Sequence, residues 1–127
     1  MFWSTDNTIS LNELKLMKGL YDKYKWDIEF ICINVDDEIK PMKDFLKKNS
    51  AYKWTFIHGG KDKKIREKYN VTTLPQFYLI DPGGVLIQAP ALRPSPNGTF
   101  RSIDETFFYI YKKLHPKKTH MPGQKED

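Results

Sequence analysis

The segment at residues 28–35, which reads IEFICINV, constrains the fold more than any other part of the sequence. It is a nearly continuous run of apolar and β-branched residues. A strand of this kind is typical of a parallel sheet that is covered by helices on both faces. We therefore expect an α/β architecture in which this segment is a central strand.

Helical and extended patterns alternate on both sides of this segment. Ser10-Leu11-Asn12-Glu13 has the form of a capping box, so we predict that a helix begins at Ser10 and runs to about Lys25. Asp81-Pro82-Gly83-Gly84 predicts a type II turn between two strands of a hairpin. The remaining patterns predict strands at residues 2–5, 54–57, 76–80 and 85–89, and helices at about 36–49, 62–69 and 102–114.

The predicted order is β-α-β-α-β-α-β-β-α, which implies a mixed central sheet with helices on both faces. A chain of 127 residues is long enough for one such domain, which we place at residues 1–114. Residues 115–127 are polar and rich in proline, so we predict a disordered tail there. The first strand is short for a buried strand, and we expect the natural chain to continue upstream.

Composition excludes several classes of function. No apolar run approaches the roughly 20 residues that a membrane-spanning helix needs. The formal charge of +5 leaves nucleic-acid binding open as a remote alternative, because no nucleic-acid motif accompanies it and many lysines lie beside acids. His58, His115 and His120 lack the spacing of metal ligands, so we predict no metal and no cofactor.

Four motifs, in this order and spacing, carry a family resemblance. They are Phe2-Trp3-Ser4-Thr5, the helix sequence LNELKLMKGLYDKY, Leu74-Pro75, and a strand and glycine turn at residues 77–84. Together they resemble the thioredoxin-like superfamily, and within it the TlpA/ResA branch of thiol/disulfide oxidoreductases, which is related to AhpC/TSA. The resemblance implies a three-layer sandwich, a cis-proline at Pro75 and a bacterial periplasm or cell envelope location.

The sequence departs from that family at the position of its chemistry. Members carry Cys-x-x-Cys at the head of the first helix, and this chain has Asn7-Thr8-Ile9-Ser10 there. A thiolate is the group that attacks a disulfide, and Asn7 and Ser10 cannot supply one. We predict no catalytic residue. The single cysteine, Cys32, lies in the apolar strand, where we expect a small buried side chain.

The resemblance also implies a peptide cleft, because members offer the backbone before the cis-proline to an extended substrate. The residues at the matching positions, which we call the predicted cleft, are Trp3, Asp6, Asn7, Thr8, Ser10, Leu74 and Pro75. Our leading hypothesis is a redox-inactive binding or structural module whose partner is an extended peptide or protein. The enzymatic alternative, an oxidoreductase that uses Cys32 or the cysteines of a partner, stays open. We expect Trp3, Trp26 and Trp54 to lie in the core, although Trp3 could also border the cleft.

Overall fold

Nine regular elements follow one another in the predicted order. The computed structural model describes residues 1–96, 101–117 and 121–123. In these residues the elements are β1 (Phe2–Trp3), α1 (Thr8–Tyr24), β2 (Ile31–Asn34), α2 (Lys40–Lys48), β3 (Thr55–His58), α3 (Lys63–Lys68), β4 (Leu79–Ile80), β5 (Leu86–Gln88) and α4 (Ile103–Leu114). The α/β class and the thioredoxin-like arrangement are confirmed.

The central sheet is mixed, as predicted. Strands β1, β2 and β3 are parallel and lie in that order, with Trp3 beside Asn34 and Cys32 beside Phe56. Strands β4 and β5 form an antiparallel hairpin. The hairpin segment joins the parallel strands through one antiparallel bridge between Phe2 and Gln76, so β1 lies between β2 and the chain that leads into β4.

Three helices cover one face of the sheet. Phe45 of α2 packs on Trp3 with ring centroids 5.3 Å apart, and Tyr21 of α1 and Phe107 of α4 both contact Phe30, which precedes β2. These aromatic side chains pack together with the buried side of α1 in one hydrophobic core. A core of this kind supplies most of the free energy that stabilises the fold.

The apolar run at residues 28–35 predicted helices on both faces of the sheet, but the opposite face is only partly covered. Helix α3 has six residues and lies near Ile33, since a Cβ added to Gly59 would meet both Ile33 and Ile65. Farther along the same face, Ile31 is 40% exposed and Ile57 is 47% exposed. A one-and-a-half-turn helix is too short to cover all three parallel strands.

The predicted start of the first helix was wrong. Helix α1 begins at Thr8, and Asn7 is its cap, because the Asn7 side-chain oxygen accepts a hydrogen bond of 2.7 Å from the Ser10 backbone N–H. Ser10 therefore lies inside the first turn. Glu13 does not complete a capping box either, since its carboxylate is buried and accepts hydrogen bonds from the backbone N–H and the hydroxyl of Ser95.

The predicted type II turn was also wrong. The turn is closed by a hydrogen bond of 2.9 Å from the Gly84 N–H to the Asp81 carbonyl, and the positive φ of 88° falls at Gly84. A type II turn would require the positive φ one residue earlier, at Gly83. A left-handed glycine directly after the turn is typical of a three-residue hairpin loop. The register of β4 and β5 also shifts, between Leu79 and Ile80.

Trp26 and the segment after α4 also differ from expectation. Trp26 is 83% exposed rather than part of the core. His115 Nε2 lies 2.8 Å from Asp27 Oδ1, and Pro122 is buried. These described residues of the predicted tail contact the domain, while residues 97–100, 118–120 and 124–127 lie outside the described part. The domain boundary at residue 114 stays a prediction.

A buried carboxylate connects the ends of β1 and β2. The Asp36 carboxylate accepts hydrogen bonds from the hydroxyls of Ser4 and Thr5, from the Thr5 N–H and from the Asn34 amide. Burial alone would raise the pKa of Asp36, but these hydrogen bonds outweigh it and hold the pKa below its usual value. Asp36 thus fixes the loop between β1 and α1 against the neighbouring strand.

This network predicts a pH-dependent stability. Because the pKa of Asp36 is lower in the folded than in the unfolded state, its contribution is present above the unfolded pKa and is lost as pH falls through the folded pKa. We expect Asp36→Asn to lower the free energy of unfolding by about 2 kcal/mol at pH 7, because several donors lose a charged acceptor. Urea unfolding should show the difference from wild type shrinking below about pH 4. A difference that stays constant from neutral to strongly acidic pH would contradict this assignment.

Candidate functional site

The candidate site lies where the carboxyl ends of β1 and β2 approach the beginning of α1. Open α/β sheets commonly bind ligands at this edge, where loops from neighbouring strands diverge. Here the loop at residues 4–7 leaves β1, is tied to Asp36 and leads into Asn7. The elements that would hold a family active site are therefore present and ordered by hydrogen bonds.

Asn7 occupies the position of the first family cysteine and has a structural role. It is half-buried, and its side-chain oxygen caps α1. A cap of this type stabilises a helix by about 1 kcal/mol. The side chain carries no proton that can be lost near neutral pH, so it cannot become a nucleophile.

Ser10 occupies the position of the second family cysteine and is fully buried. Its hydroxyl oxygen has no hydrogen-bond partner among the described residues, and the same is true of the Trp3 indole N–H. A serine hydroxyl needs a neighbouring base before it can act as a nucleophile, and no base contacts this one. Ser10 therefore offers neither a thiol nor an activated hydroxyl.

The Leu74-Pro75 segment lies beside the beginning of the same loop. Its peptide bond is cis, as the resemblance implied, and Pro75 is buried while Leu74 is half-buried. The antiparallel bridge pairs Phe2 with Gln76, with N–O distances of 2.8 and 3.2 Å. Continued by one and by two residues, this register would place Pro75 beside Trp3 and Leu74 beside Ser4. The segment thus meets the chain that leads into α1.

The residues of the predicted cleft differ in what they present to solvent. Asp6 and Thr8 are exposed and lie at the surface on either side of Asn7. Trp3 is completely buried against Phe45 and Phe56, so it lies beneath this surface rather than in it. Within residues 1–96, no hydrogen bond involves the backbone N–H or C=O of Leu74. Those two groups are the ones that an added strand would use.

Cys32 is part of the core and not of this surface. Its side chain is fully buried on β2, and the indole N–H of Trp54 donates a hydrogen bond of 3.1 Å to its sulfur. Burial raises the pKa of the Cys32 thiol and outweighs the opposite effects of the Met1 ammonium group and the Trp54 hydrogen bond. A buried thiol with a raised pKa is a poor nucleophile.

The histidines that the sequence singled out have separate roles. His58 ends β3, rather than lying in a loop, and its Nε2 is 2.8 Å from the Asp36 carbonyl oxygen. His115 pairs with Asp27, far along the chain, and His120 lies outside the described residues. The described ranges contain no cluster of three or more histidine, cysteine or acidic side chains able to hold a metal ion. They also contain no helix that is both long and apolar enough to cross a bilayer.

Sequence reasoning missed Asp36, which organises the site more than any predicted residue. It reaches Ser4 and Thr5 across more than 30 positions of sequence, and no short motif marks such a contact. The one available signal was a carboxylate directly after a buried strand, at the edge where the loop of a neighbouring strand also ends.

Comparison with known proteins agrees with this geometry. The sequence pattern of the family described as thioredoxin-like matches residues 1–86. The thiol-disulfide oxidoreductases ResA of Bacillus thuringiensis and Bacillus cereus are each 33% identical over 89 residues, which is 68% of this chain and 50% of the relative. The chain thus spans half the length of these curated relatives.

Solved structures show the same similarity. A putative thiol-disulfide oxidoreductase from Bacteroides vulgatus has a TM-score of 0.73 and 27% identity, with 94% of this chain and 74% of that one covered. A thiol-disulfide oxidoreductase from Bacteroides fragilis has a TM-score of 0.65 at 20% identity, covering 89% of this chain and 77% of the other, and supports the fold alone. From its fold and these relatives, the chain belongs to the thioredoxin-like family, and it is similar to the ResA-type thiol-disulfide oxidoreductases.

Proposed function

We propose that the domain binds an extended peptide segment of a partner protein beside Leu74-Pro75 and does not itself exchange a dithiol. One observation carries the proposal. The free backbone groups of Leu74 lie next to the beginning of α1, where Asn7 and Ser10 replace the family cysteines. The domain keeps the framework that presents a peptide to this position and lacks the sulfur atoms that would react with it.

The binding mode is strand addition. An extended peptide that runs along residues 73–74 can pair with the N–H and C=O of Leu74, while its side chains contact the exposed Asp6 and Thr8. The first backbone N–H groups of α1 point toward the same surface and favour a carbonyl oxygen or a carboxylate of the peptide.

The absence of exchange follows from the reaction itself. A thiolate attacks one sulfur of a disulfide, the other sulfur leaves as a thiolate, and a second thiol then resolves the mixed disulfide. Neither step can start from the amide of Asn7 or from the protonated hydroxyl of Ser10. Cys32 is the single sulfur nucleophile of the sequence, and it is enclosed in the core.

Two forms of this proposal differ in what the partner brings. In the first, the domain is a redox-inactive module that only holds a peptide. In the second, the partner supplies the cysteines, and the domain positions them for exchange with another thiol. The matched relatives are named thiol-disulfide oxidoreductases, which favours the second form over the first. The resemblance to the ResA-type oxidoreductases, which typically lie outside the cytoplasm, leads us to place this role in the bacterial periplasm or cell envelope.

Blocking the surface of the cleft should abolish peptide binding. We expect Thr8→Trp to remove binding of peptides that the wild-type domain selects from a displayed library of unstructured peptides, because an indole at this exposed position covers the approach to Leu74. The matched control is Asn12→Trp, which adds the same bulk one turn later on an exposed position of α1. If both variants bind equally well, the peptide lies elsewhere. Enrichment of cysteine in the selected peptides supports the second form, and its absence supports the first.

A cysteine introduced at position 7 should test whether the bound peptide lies beside the beginning of α1. We expect Asn7→Cys to form a mixed disulfide with a selected peptide whose cysteine is activated by nitrothiobenzoate, because the N-terminus of α1 stabilises the thiolate. Release of nitrothiobenzoate should be at least about tenfold faster than with a scrambled peptide, since binding places the two sulfurs together. Ser10→Cys, with its buried position, should react slowly. Equal rates for selected and scrambled peptides would contradict the proposed placement.

Native Cys32 should resist labelling. A buried thiol with a raised pKa presents little thiolate to a reagent, so we expect dithionitrobenzoate to react at least about a hundredfold more slowly with native protein than with protein unfolded in urea. Stopped-flow absorbance in both conditions measures the ratio. Rapid labelling of the native protein would instead support an oxidoreductase that acts through Cys32.

A further inference from the structure

A second concave surface lies at the opposite end of the sheet from the predicted cleft. It is an open cavity of about 480 Å³ between the carboxyl end of α1 and the segments that lead into β2 and β3. This volume is within the range of small-molecule sites. Its lining residues are Tyr21, Lys25, Trp26, Asp27, Ile28, Glu29, Phe30, Lys53, Trp54 and Thr55. We call this surface the Trp26 cavity.

The Trp26 cavity has an aromatic wall and floor. Trp26 stands at its rim and is 83% exposed, which is unusual for the largest apolar side chain. Tyr21 packs against Phe30 and Trp54, with ring centroids 5.7 and 5.4 Å apart, and these rings hold one another in place. The cavity therefore offers a fixed aromatic surface to a ligand.

A lysine is held between two of these rings. The Lys25 ammonium nitrogen lies 5.3 Å from the centroid of the Trp26 ring and 6.0 Å from that of Tyr21. Both distances are within the range of cation–π interactions, which orient the ammonium group without neutralising its charge. Lys53 also lines the cavity, and none of the ion pairs among the described residues includes Lys25 or Lys53.

The acidic groups of the cavity do not form ion pairs with these lysines. Asp27 is directed to His115, with 2.8 Å between Oδ1 and Nε2. Glu29, the other carboxylate of the lining, forms no ion pair with Lys25 or Lys53. Both ammonium groups are therefore open to pairing with a negatively charged ligand.

We propose that the Trp26 cavity binds an organic anion with an aromatic body, whose ring lies on Trp26 and Tyr21 and whose carboxylate or sulfonate pairs with Lys25 and Lys53. The ring gains apolar and stacking contacts, and the charge gains hydrogen bonds that are stronger than those between neutral groups. This site is independent of the peptide cleft, because it lies at the amino ends of the strands while the cleft lies at their carboxyl ends.

The test is a titration of the full chain with 2-naphthoate, followed through the indole N–H signals in proton–nitrogen NMR spectra. The three tryptophans give three such signals, and Trp3 and Trp54 are buried. We expect the Trp26 signal to move and to saturate at millimolar concentration or below. The uncharged analogue 2-naphthylmethanol should bind at least about fivefold more weakly, because it lacks the charge that pairs with the lysines.

Variants distinguish specific binding in the Trp26 cavity from nonspecific binding to the protein surface. Lys25→Ala and Lys53→Ala should each weaken 2-naphthoate binding by at least about threefold. The control is Lys113→Ala, which removes a lysine 4.6 Å from the ring of Tyr109, an exposed pair on the surface of α4 that does not line the Trp26 cavity. Equal binding of the acid and the alcohol, no movement of the Trp26 signal, or an equal loss in Lys113→Ala would each overturn the proposal.

Discussion

The structure of the candidate site depends on one buried carboxylate. Asp36 accepts hydrogen bonds from Ser4, Thr5 and Asn34, and so it holds the end of β1 and the end of β2 in one arrangement. The loop that leaves β1 then has a single route to Asn7, and helix α1 begins at a fixed position over the sheet. Such a network is costly when only partly satisfied, so it stabilises one conformation of this edge rather than several.

This dependence explains how the family fold persists without cysteines at the head of its first helix. In a working dithiol enzyme, the residues at the head of the first helix serve both reaction and structure. In this chain only the structural part remains, because Asn7 caps α1 and Ser10 fills a small buried space in its first turn. Neither replacement disturbs Asp36 or the pairing of Phe2 with Gln76. The surface that would meet a peptide is therefore set by interactions that the loss of sulfur leaves intact.

The parts of this fold that the sequence predicted well are those with local causes. Periodicity and apolar runs predicted the order of the elements that the structure has. The errors arose where two local explanations competed. Ser10 and Asn7 can both cap a helix. The family resemblance, which places Asn7 at the head of the first helix, was a better guide than the Ser-x-x-Glu pattern.

Other features had no local cause at all. Glu13 looked like half of a capping box, yet its partner is Ser95, 82 positions away. Trp26 looked like a core residue because of its type, and only the path of the chain after α1 places it in solvent. Periodicity cannot report either result, since both depend on which distant segments the fold brings together.

The two ends of the sheet differ in which polar groups are left unpaired and are therefore open to a ligand. At the carboxyl ends of the strands, the polar groups of Ser4, Thr5 and Asp36 are paired with one another, and the free groups belong to the backbone at Leu74. The peptide binding that we propose there relies on backbone pairing and tolerates many peptide sequences. At the amino ends, the free groups are the side chains of Lys25 and Lys53 beside exposed aromatic rings. The anion binding that we propose there relies on charge and ring contacts, so it discriminates between ligands by their chemistry. The proposed peptide surface and the proposed anion surface thus lie at opposite ends of one sheet and recognise different chemical groups.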